Sequence, residues 1–538
     1  GGGARAGARP GARGLRTAGA ALSGSAVNGR GASDWLWQWG QFLDHDLGLT
    51  ETSHNNDPFA IPVPPGDPHF DPMMSGVQQI PLQRSLYEID GAGVRQQTNE
   101  ITAYIDASQV YGSDPVRAAA LRGPGSTLRM TPGANGEILL GQNSGGYANA
   151  EMGPTASSAY FLAGDVRANE QIGLTAAHTL FAREHNRLVD ELNARLTAGD
   201  TTLTDERDAA IRDPGNGVTT HDDFIFEAAR KIVGAQVQKI TYTEFLPVLL
   251  GVDLTRTYTG YDETVDAGIS TEFSTAAFRV GHTMLSSELL RVDDSGPLVD
   301  VTRVALRDAF FNPAEVFDNG VDSLLLGLAS QRAQGIDTLL VDDVRNFLFG
   351  PPGAGGFDLS ALNLQRGRDH GVGSLNAVRD DLGLAPYTSF LDMTGGDTLL
   401  AAAFASVYDV VDDVDLWIGG LAEQTAGRSM LGETFTQILL DQFIRSMTGD
   451  RFFYLAEMDA LQILDEDFMS TTSLSALIRR NSSVQSIQAD AFRVLPEPGS
   501  LLLATLALAL WRSVHGRPRT FSRSSRPRSG EAALGLPA

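Results

Sequence analysis

The stretch Ser33-Asp34-Trp35-Leu36-Trp37-Gln38-Trp39-Gly40-Gln41-Phe42-Leu43-Asp44-His45-Asp46-Leu47 constrains this chain more than any other. Trp35, Trp39, Phe42 and Leu43 recur at three-to-four-residue spacing, which predicts a helix with a wide aromatic stripe, and Ser33 is placed to cap its start. Such a stripe needs a thick core to receive it. Gln41, Asp44 and His45 stand at i, i+3 and i+4 and share one face. Asp46 lies about 100° further round and must address something else. An amide, a carboxylate and an imidazole beside buried aromatics suggest a site, and Asp46 suggests a second one nearby. The bland alternative is a packed histidine with two solvated aspartates.

The chain has 538 residues and an ordinary 42% hydrophobic share, enough for a large core. Its net charge of −25 excludes a general nucleic-acid binder. With no cysteine, disulfides, thiolate metal ligands and cysteine nucleophiles are excluded together. Helical periods recur over residues 115–122, 167–196, 222–250, 274–291, 321–348, 370–382, 398–412 and 432–447, while strand signals are few and short. Residues 50–83 and 123–158 read as irregular loop, and 197–221 as a polar linker. The expectation is a mainly α protein: one large helical domain over 31–490, with long loops and few short strands. Residues 1–30, rich in Gly, Ala and Arg, read as a disordered or misread leader.

Four further stretches carry chemistry. In Phe161-Leu162-Ala163-Gly164-Asp165-Val166-Arg167-Ala168-Asn169-Glu170-Gln171, Arg167 and Glu170 sit three apart at the expected start of a long helix. In Ala277-Phe278-Arg279-Val280-Gly281-His282-Thr283, a glycine beside a histidine allows a flat ligand to come close. The segment from Asn363 through Arg366 to His370 is dense in hydrogen-bonding groups. Thr102, the Tyr104 carbonyl, Asp106 and Ser108 offer oxygens at every second residue, which suits Ca²⁺, with Asp46 as a further carboxylate. Each stretch alone has a structural explanation: an ion pair, a core histidine, a polar strand edge. His178 and His185 lack a zinc spacing and read as packing.

Together, WGQFLDHDL, TAYIDASQVYGS, FLAGDVRANE, LFAREHNRL, AFRVGHT, LNLQRGRDHG and GDRFFY, in that order from about residue 31 to 460, resemble the haem peroxidases of the peroxidase–cyclooxygenase superfamily. That group contains myeloperoxidase, lactoperoxidase and peroxidasin. The resemblance implies haem b and Ca²⁺ as cofactors and H₂O₂ as substrate. It makes His45 the distal base, Gln41 and Arg167 its catalytic partners, and His282 the iron ligand. Asn363 would accept the other N–H of His282, and Arg279 and Arg366 would pair with the haem propionates. Asp44 and Glu170 match the carboxylates that form haem esters in mammalian members. Gln171 replaces the methionine that makes a third link in myeloperoxidase, which favours bromide, iodide, thiocyanate or phenols over chloride as donors. The calcium set would be Asp46, Thr102, Tyr104, Asp106 and Ser108.

Two rivals remain at this level. A fatty-acid dioxygenase of the same superfamily would carry a radical-forming tyrosine where this chain has Arg279. A non-catalytic haem- or calcium-binding surface protein would have no need of Gln41, His45, Arg167 and His282 together. Finally, Pro496-Glu497-Pro498, an apolar run and a basic cluster over 494–519 resemble the PEP-CTERM sorting signal handled by bacterial exosortases, followed by a disordered tail over 520–538. That resemblance implies an exported, cell-surface or extracellular protein. The apolar run is shorter than the roughly 20 residues that span a bilayer.

Overall fold

Helices at 3.6-residue period supply the frame, as the apolar spacing requires. The computed structural model describes residues 24–52, 57–150, 156–296 and 299–494. The sorting-signal segment from residue 495, the tail and residues 1–23 of the expected leader lie outside the described residues. Residues 24–30 belong to the body: Val27 pairs with Gln334, and the Asn28 amide donates to Ala333 O at 2.6 Å. The described residues fall in one compact unit ending at Val494.

The longer helices are α1 (Trp35–Leu47), α2 (Ile172–Thr197), α3 (Thr201–Arg212), α4 (His221–Ile240), α5 (Asp322–Ser330), α6 (Leu359–Asp369), α7 (Glu433–Thr448) and α8 (Leu474–Asn481). Sheet structure among the described residues is confined to four antiparallel pairs of strands. The longest joins β1 (Glu288–Asp293) to β2 (Asp300–Ala305), with Glu288 opposite Ala305. No helix among the described residues is long and apolar enough to cross a membrane.

Helix α1 is the axle. Its aromatic stripe enters the core completely: Trp35, Trp39 and Phe42 are buried, Phe42 stacks on Phe181 of α2 at 5.1 Å, and Trp39 lies 5.8 Å from the same ring. Both indole N–H groups find acceptors, Trp35 on Leu325 O and Trp39 on Thr241 Oγ1. The helix is buried on nearly every side. The residues that keep partial exposure, Gly40, Gln41 and Asp44, line an internal cavity instead of facing the outer surface.

Several local expectations are corrected. Ser33 does not cap α1; its hydroxyl donates to Ala491 O, and the residue at the cap, Asp34, makes no side-chain cap bond. The long helix begins at Ile172, with Gln171 as its cap accepting from Gly173 N, so Arg167 and Glu170 stand on the turn before it. The supposed linker holds α3, whose start is fixed by the Asp200 carboxylate on Leu203 N. Residues 274–291 are not one helix: a short helix (Thr271–Thr275) gives way to a 3₁₀ segment (Ala277–Thr283) and then β1. A 3₁₀ turn has three residues, so Arg279 and His282 eclipse one another and present one face.

Candidate active site

A cavity of about 420 Å³ lies between α1, the 161–171 turn, the 3₁₀ segment and α6. Gln41, Asp44, His45, Arg167, Glu170, Arg279, His282, Asn363 and Arg366 all line it. Four stretches separated by more than a hundred residues in places therefore meet on one surface. Its remaining wall is largely apolar, with Trp37, Phe245, Phe278, Phe310 and Phe349 among the lining residues.

One side of the cavity is ionic. Arg167 donates from Nε and Nη2 to the two oxygens of Asp165, at 2.9 and 2.8 Å, and its Nη1 stands 3.9 Å from Asp44. His45 Nδ1 lies 3.3 Å from the same Asp165. Burial, then Arg167, hold the His45 imidazole well below its ordinary range against the pull of Asp165, so the ring is neutral near pH 7. Burial pushes the Asp44 carboxyl up, with Arg167 and Arg279 opposing. It carries the Glu170 carboxyl to about 7, against Arg167 and a 3.1 Å bond from the Gln41 amide. Gln171 donates to Gln38 and Gln41, which fixes the Gln41 amide.

The other side is nearly neutral. Burial, followed by Arg279, takes His282 down to about 3, leaving an uncharged imidazole of the kind a metal needs. Asn363 stands 2.8 Å from His282 Nδ1, as expected. The polarity is reversed, however: the amide nitrogen faces the ring, because Asn363 Oδ1 accepts from Arg279 at 3.0 Å. Half a turn of the amide would present the oxygen to an Nδ1–H and leave Nε2 free to ligate. Arg279 donates only to neutral oxygens in its two bonds, on Ser274 and Asn363, and burial lowers it to about 10. A buried cation so placed suits an anionic group. Arg366 is more committed than expected, since its Nη1 serves Asp369 at 2.7 Å, Ser85 and Gln83 O. Asp369 lies one turn on along α6 and claims it locally. His370 bonds Ser85 and Thr275.

Asp46 turns away from the cavity, as its position requires. It accepts from Ala107 N, Ser108 N and Ser108 Oγ at 3.0, 2.6 and 2.7 Å. Asp106 accepts from Ser108 N, and burial followed by Asp106 drives the Asp46 carboxyl well above its usual range. Asp46, Asp106 and Ser108 thus converge. The Thr102 hydroxyl accepts from Tyr104 N, and no group of three or more His, Asp or Glu poised for a metal occurs among the described residues. His178 and His185 are packing residues, His178 edge-on to Phe42 and His185 bonded to Tyr111 and Ser126 O.

The animal haem peroxidase family profile matches residues 3–492. The chain belongs to that family. Peroxinectin A of Dictyostelium discoideum is 33% identical over 473 residues, 86% of this chain and 83% of that protein. Lactoperoxidase of Mesocricetus auratus is 33% identical over 519 residues, 89% of this chain and 69% of that protein. The chain spans only 37% of the peroxidasin homologue pxn-1 of Caenorhabditis elegans. Peroxidase A of D. discoideum superimposes with a TM-score of 0.78 at 31% identity, covering 89% of this chain and 91% of that one. A fatty-acid α-dioxygenase of Oryza sativa, at TM-score 0.70 and 19% identity, shares the fold. An animal haem peroxidase is an oxidoreductase with haem as cofactor. The cavity fits such a group: two neutral histidines, three arginines, two carboxylates of raised pKa and an apolar wall face one space.

Asp165 was not singled out in the sequence. The signal was present, an acid two residues before Arg167, but a helical reading of that stretch directs attention to i+3 and i+4 partners.

Proposed function

We propose that the protein reduces H₂O₂ at the haem and oxidises small donors, namely bromide, iodide, thiocyanate or phenols. The observation that carries this is one cavity lined by two neutral histidines from distant segments, only one of them beside an arginine–carboxylate pair. When bound, haem supplies the electrons that split the peroxide O–O bond. His282 would hold the iron and Asn363 would orient the ring. Arg279 would meet a propionate, with Arg366 beside it in a secondary role. His45 Nε2 takes the proton from one peroxide oxygen and returns it to the other as water leaves. Arg167 faces that oxygen as negative charge develops, and Gln41 orients a water or halide.

Asp44 and Glu170 are read as ester-forming positions, supported by their place on the cavity wall and their raised pKa values. A Ca²⁺ held by Asp46, Asp106 and Ser108, with Thr102 and the Tyr104 carbonyl completing the shell, is supported by the facing carboxylates of buried Asp46 and half-buried Asp106. The Pro-Glu-Pro segment supports export to the cell surface. The deciding test is the absorption spectrum of the haem-reconstituted protein before and after one equivalent of H₂O₂. A Soret band that shifts and then recovers on adding bromide or guaiacol is expected. A band that peroxide leaves unmoved would overturn the proposal.

A further inference from the structure

We infer that Asp165 is the positioning residue of the ionic wall: its carboxylate clamps Arg167 and provides the counter-charge that lets His45 accept a proton. The inference rests on the reading of His45 as the base and adds to it the group on which that base depends.

The geometry is that of a built site. Asp165 Oδ1 accepts from Arg167 N and Nε at 2.7 and 2.9 Å, and Oδ2 accepts from Nη2 at 2.8 Å. This two-pronged pairing fixes the plane of a guanidinium as well as its position. It leaves Nη1 directed toward Asp44. The same Oδ1 is 3.3 Å from His45 Nδ1, with both side chains only 4% exposed. Charges so enclosed act on one another far more strongly than they would in water.

The backbone that carries this carboxylate is itself held from behind. Asp165 N donates to Gln109 O at 3.0 Å, while the buried Arg117 binds Ala163 O at 2.7 Å and Asp165 O at 3.3 Å. A Cβ at Gly164 would stand 2.5 and 2.6 Å from the carbonyl oxygens of Ser108 and Gln109. Only glycine lets this turn sit so closely on the 108–112 segment.

Arg167, His45, Arg117, Asp44, Glu170 and His178 all bear on this carboxylate or on its two partners. Burial alone would raise the carboxyl of Asp165, but the charge and hydrogen bonds of Arg167 outweigh it and keep the group ionised. Asp165 therefore does not act as the base. The 3.3 Å approach of His45 Nδ1 to Asp165 is an ion-pair contact without a formed hydrogen bond; a proton on Nδ1, the side that faces Asp165, would leave Nε2 bare for peroxide. When Nε2 takes a proton from one peroxide oxygen, Asp165 offsets the new positive charge beside Arg167. The proton would then pass from His45 Nε2 to the other oxygen, which would leave as water, with bound haem supplying the two electrons for the O–O cleavage.

The test uses the haem-reconstituted full chain. In Asp165→Asn the second-order rate of Soret change with H₂O₂ is expected to fall about 100-fold. Cyanide affinity should fall with the rate. Asp165→Glu should restore part of both. A rate within about two-fold of wild type and an unchanged cyanide affinity would overturn the inference. His45→Leu separates the two readings: if it reacts as fast as wild type, the base assignment fails. If it is slow while Asp165→Asn is fast, only the role of Asp165 fails. Should Asp165→Asn not fold, ¹⁵N–¹H spectra of the wild-type, haem-free protein decide the matter. The Nδ1–H tautomer of His45 is expected, and the Nε2–H tautomer would overturn the proposal.

Discussion

The two histidine-bearing walls of the cavity are built on opposite electrostatic plans. Around His45 stand Asp165, Arg167, Asp44 and Glu170, four ionisable groups within one network. Around His282 stand an amide and Arg279, whose bonds go to neutral oxygens, with Arg366 beyond them already paired with Asp369. A wall that shuttles protons needs charges that can answer each transfer, whereas a wall that holds a metal needs one lone pair kept uncharged. Both histidines are kept neutral chiefly by burial, but what acts next differs: Arg167 and Asp165 pull His45 in opposite directions, while His282 meets only Arg279 and the Asn363 amide.

The largest effect should follow from breaking the neutral wall. His282→Ala removes the only imidazole there, so the haem-reconstituted variant should lose its histidine-ligated Soret band and its turnover together. An unchanged band would put the iron on another residue. His45→Leu should instead leave the Soret band in place while the rate with H₂O₂ drops by about 10³–10⁴, near the top of what one general acid–base group contributes. Stopped-flow absorbance separates the two outcomes directly.

The carboxylates of the ionic wall give the next test. Acidified organic solvent should release haem completely from the double variant Asp44→Val/Glu170→Gln and retain part of it on wild-type protein pre-treated with H₂O₂. Complete release from wild type would remove the ester assignment. A smaller effect is expected behind that wall. Ser108 bonds Asp46, and its carbonyl lies directly against Gly164, next to Asp165. Chelating Ca²⁺ should therefore broaden the Soret band and slow the peroxide reaction before the fold is lost. Elemental analysis showing no calcium in the wild-type protein would dispose of the cation.

Helix α1 and its two faces were legible in the sequence because a 3.6-residue period encodes burial directly, and His45, Gln41 and Asp44 came with it. His282 and Arg279 were legible as residues but not as a geometry. Their segment winds as 3₁₀ and leads into β1, and the pairing that ends the helix comes from β2, which local spacing does not reveal. Helix α3 was hidden by its polarity, since Leu203 is its one buried residue. Asp165 was missed because its partners lie on a turn fixed by Arg117 and Gly164, both tertiary contacts. The Arg366–Asp369 pair, three apart on α6, was readable but was set aside for a ligand role.

The smallest effect tests the neutral side of the comparison away from both histidines. Asp34, at the head of α1, is almost fully buried and accepts from Ser286 Oγ at 3.0 Å. Burial pushes its carboxyl from 3.8 up to about 8, and only neutral hydrogen-bond donors oppose that. Below pH 4 the folded and unfolded chains both hold this proton, and the group costs nothing. As pH rises toward 8 the unfolded chain releases the proton while the folded one keeps it, so stability is lost through that window and levels off above it. Asp34→Asn keeps an oxygen for Ser286 and removes the titration. Its melting temperature should exceed that of wild type by roughly 1 °C at pH 8 for each kcal/mol recovered, with little difference at pH 4. Equal gains at both pH values would mean that Asp34 is ionised in the folded protein through a partner on this otherwise neutral flank.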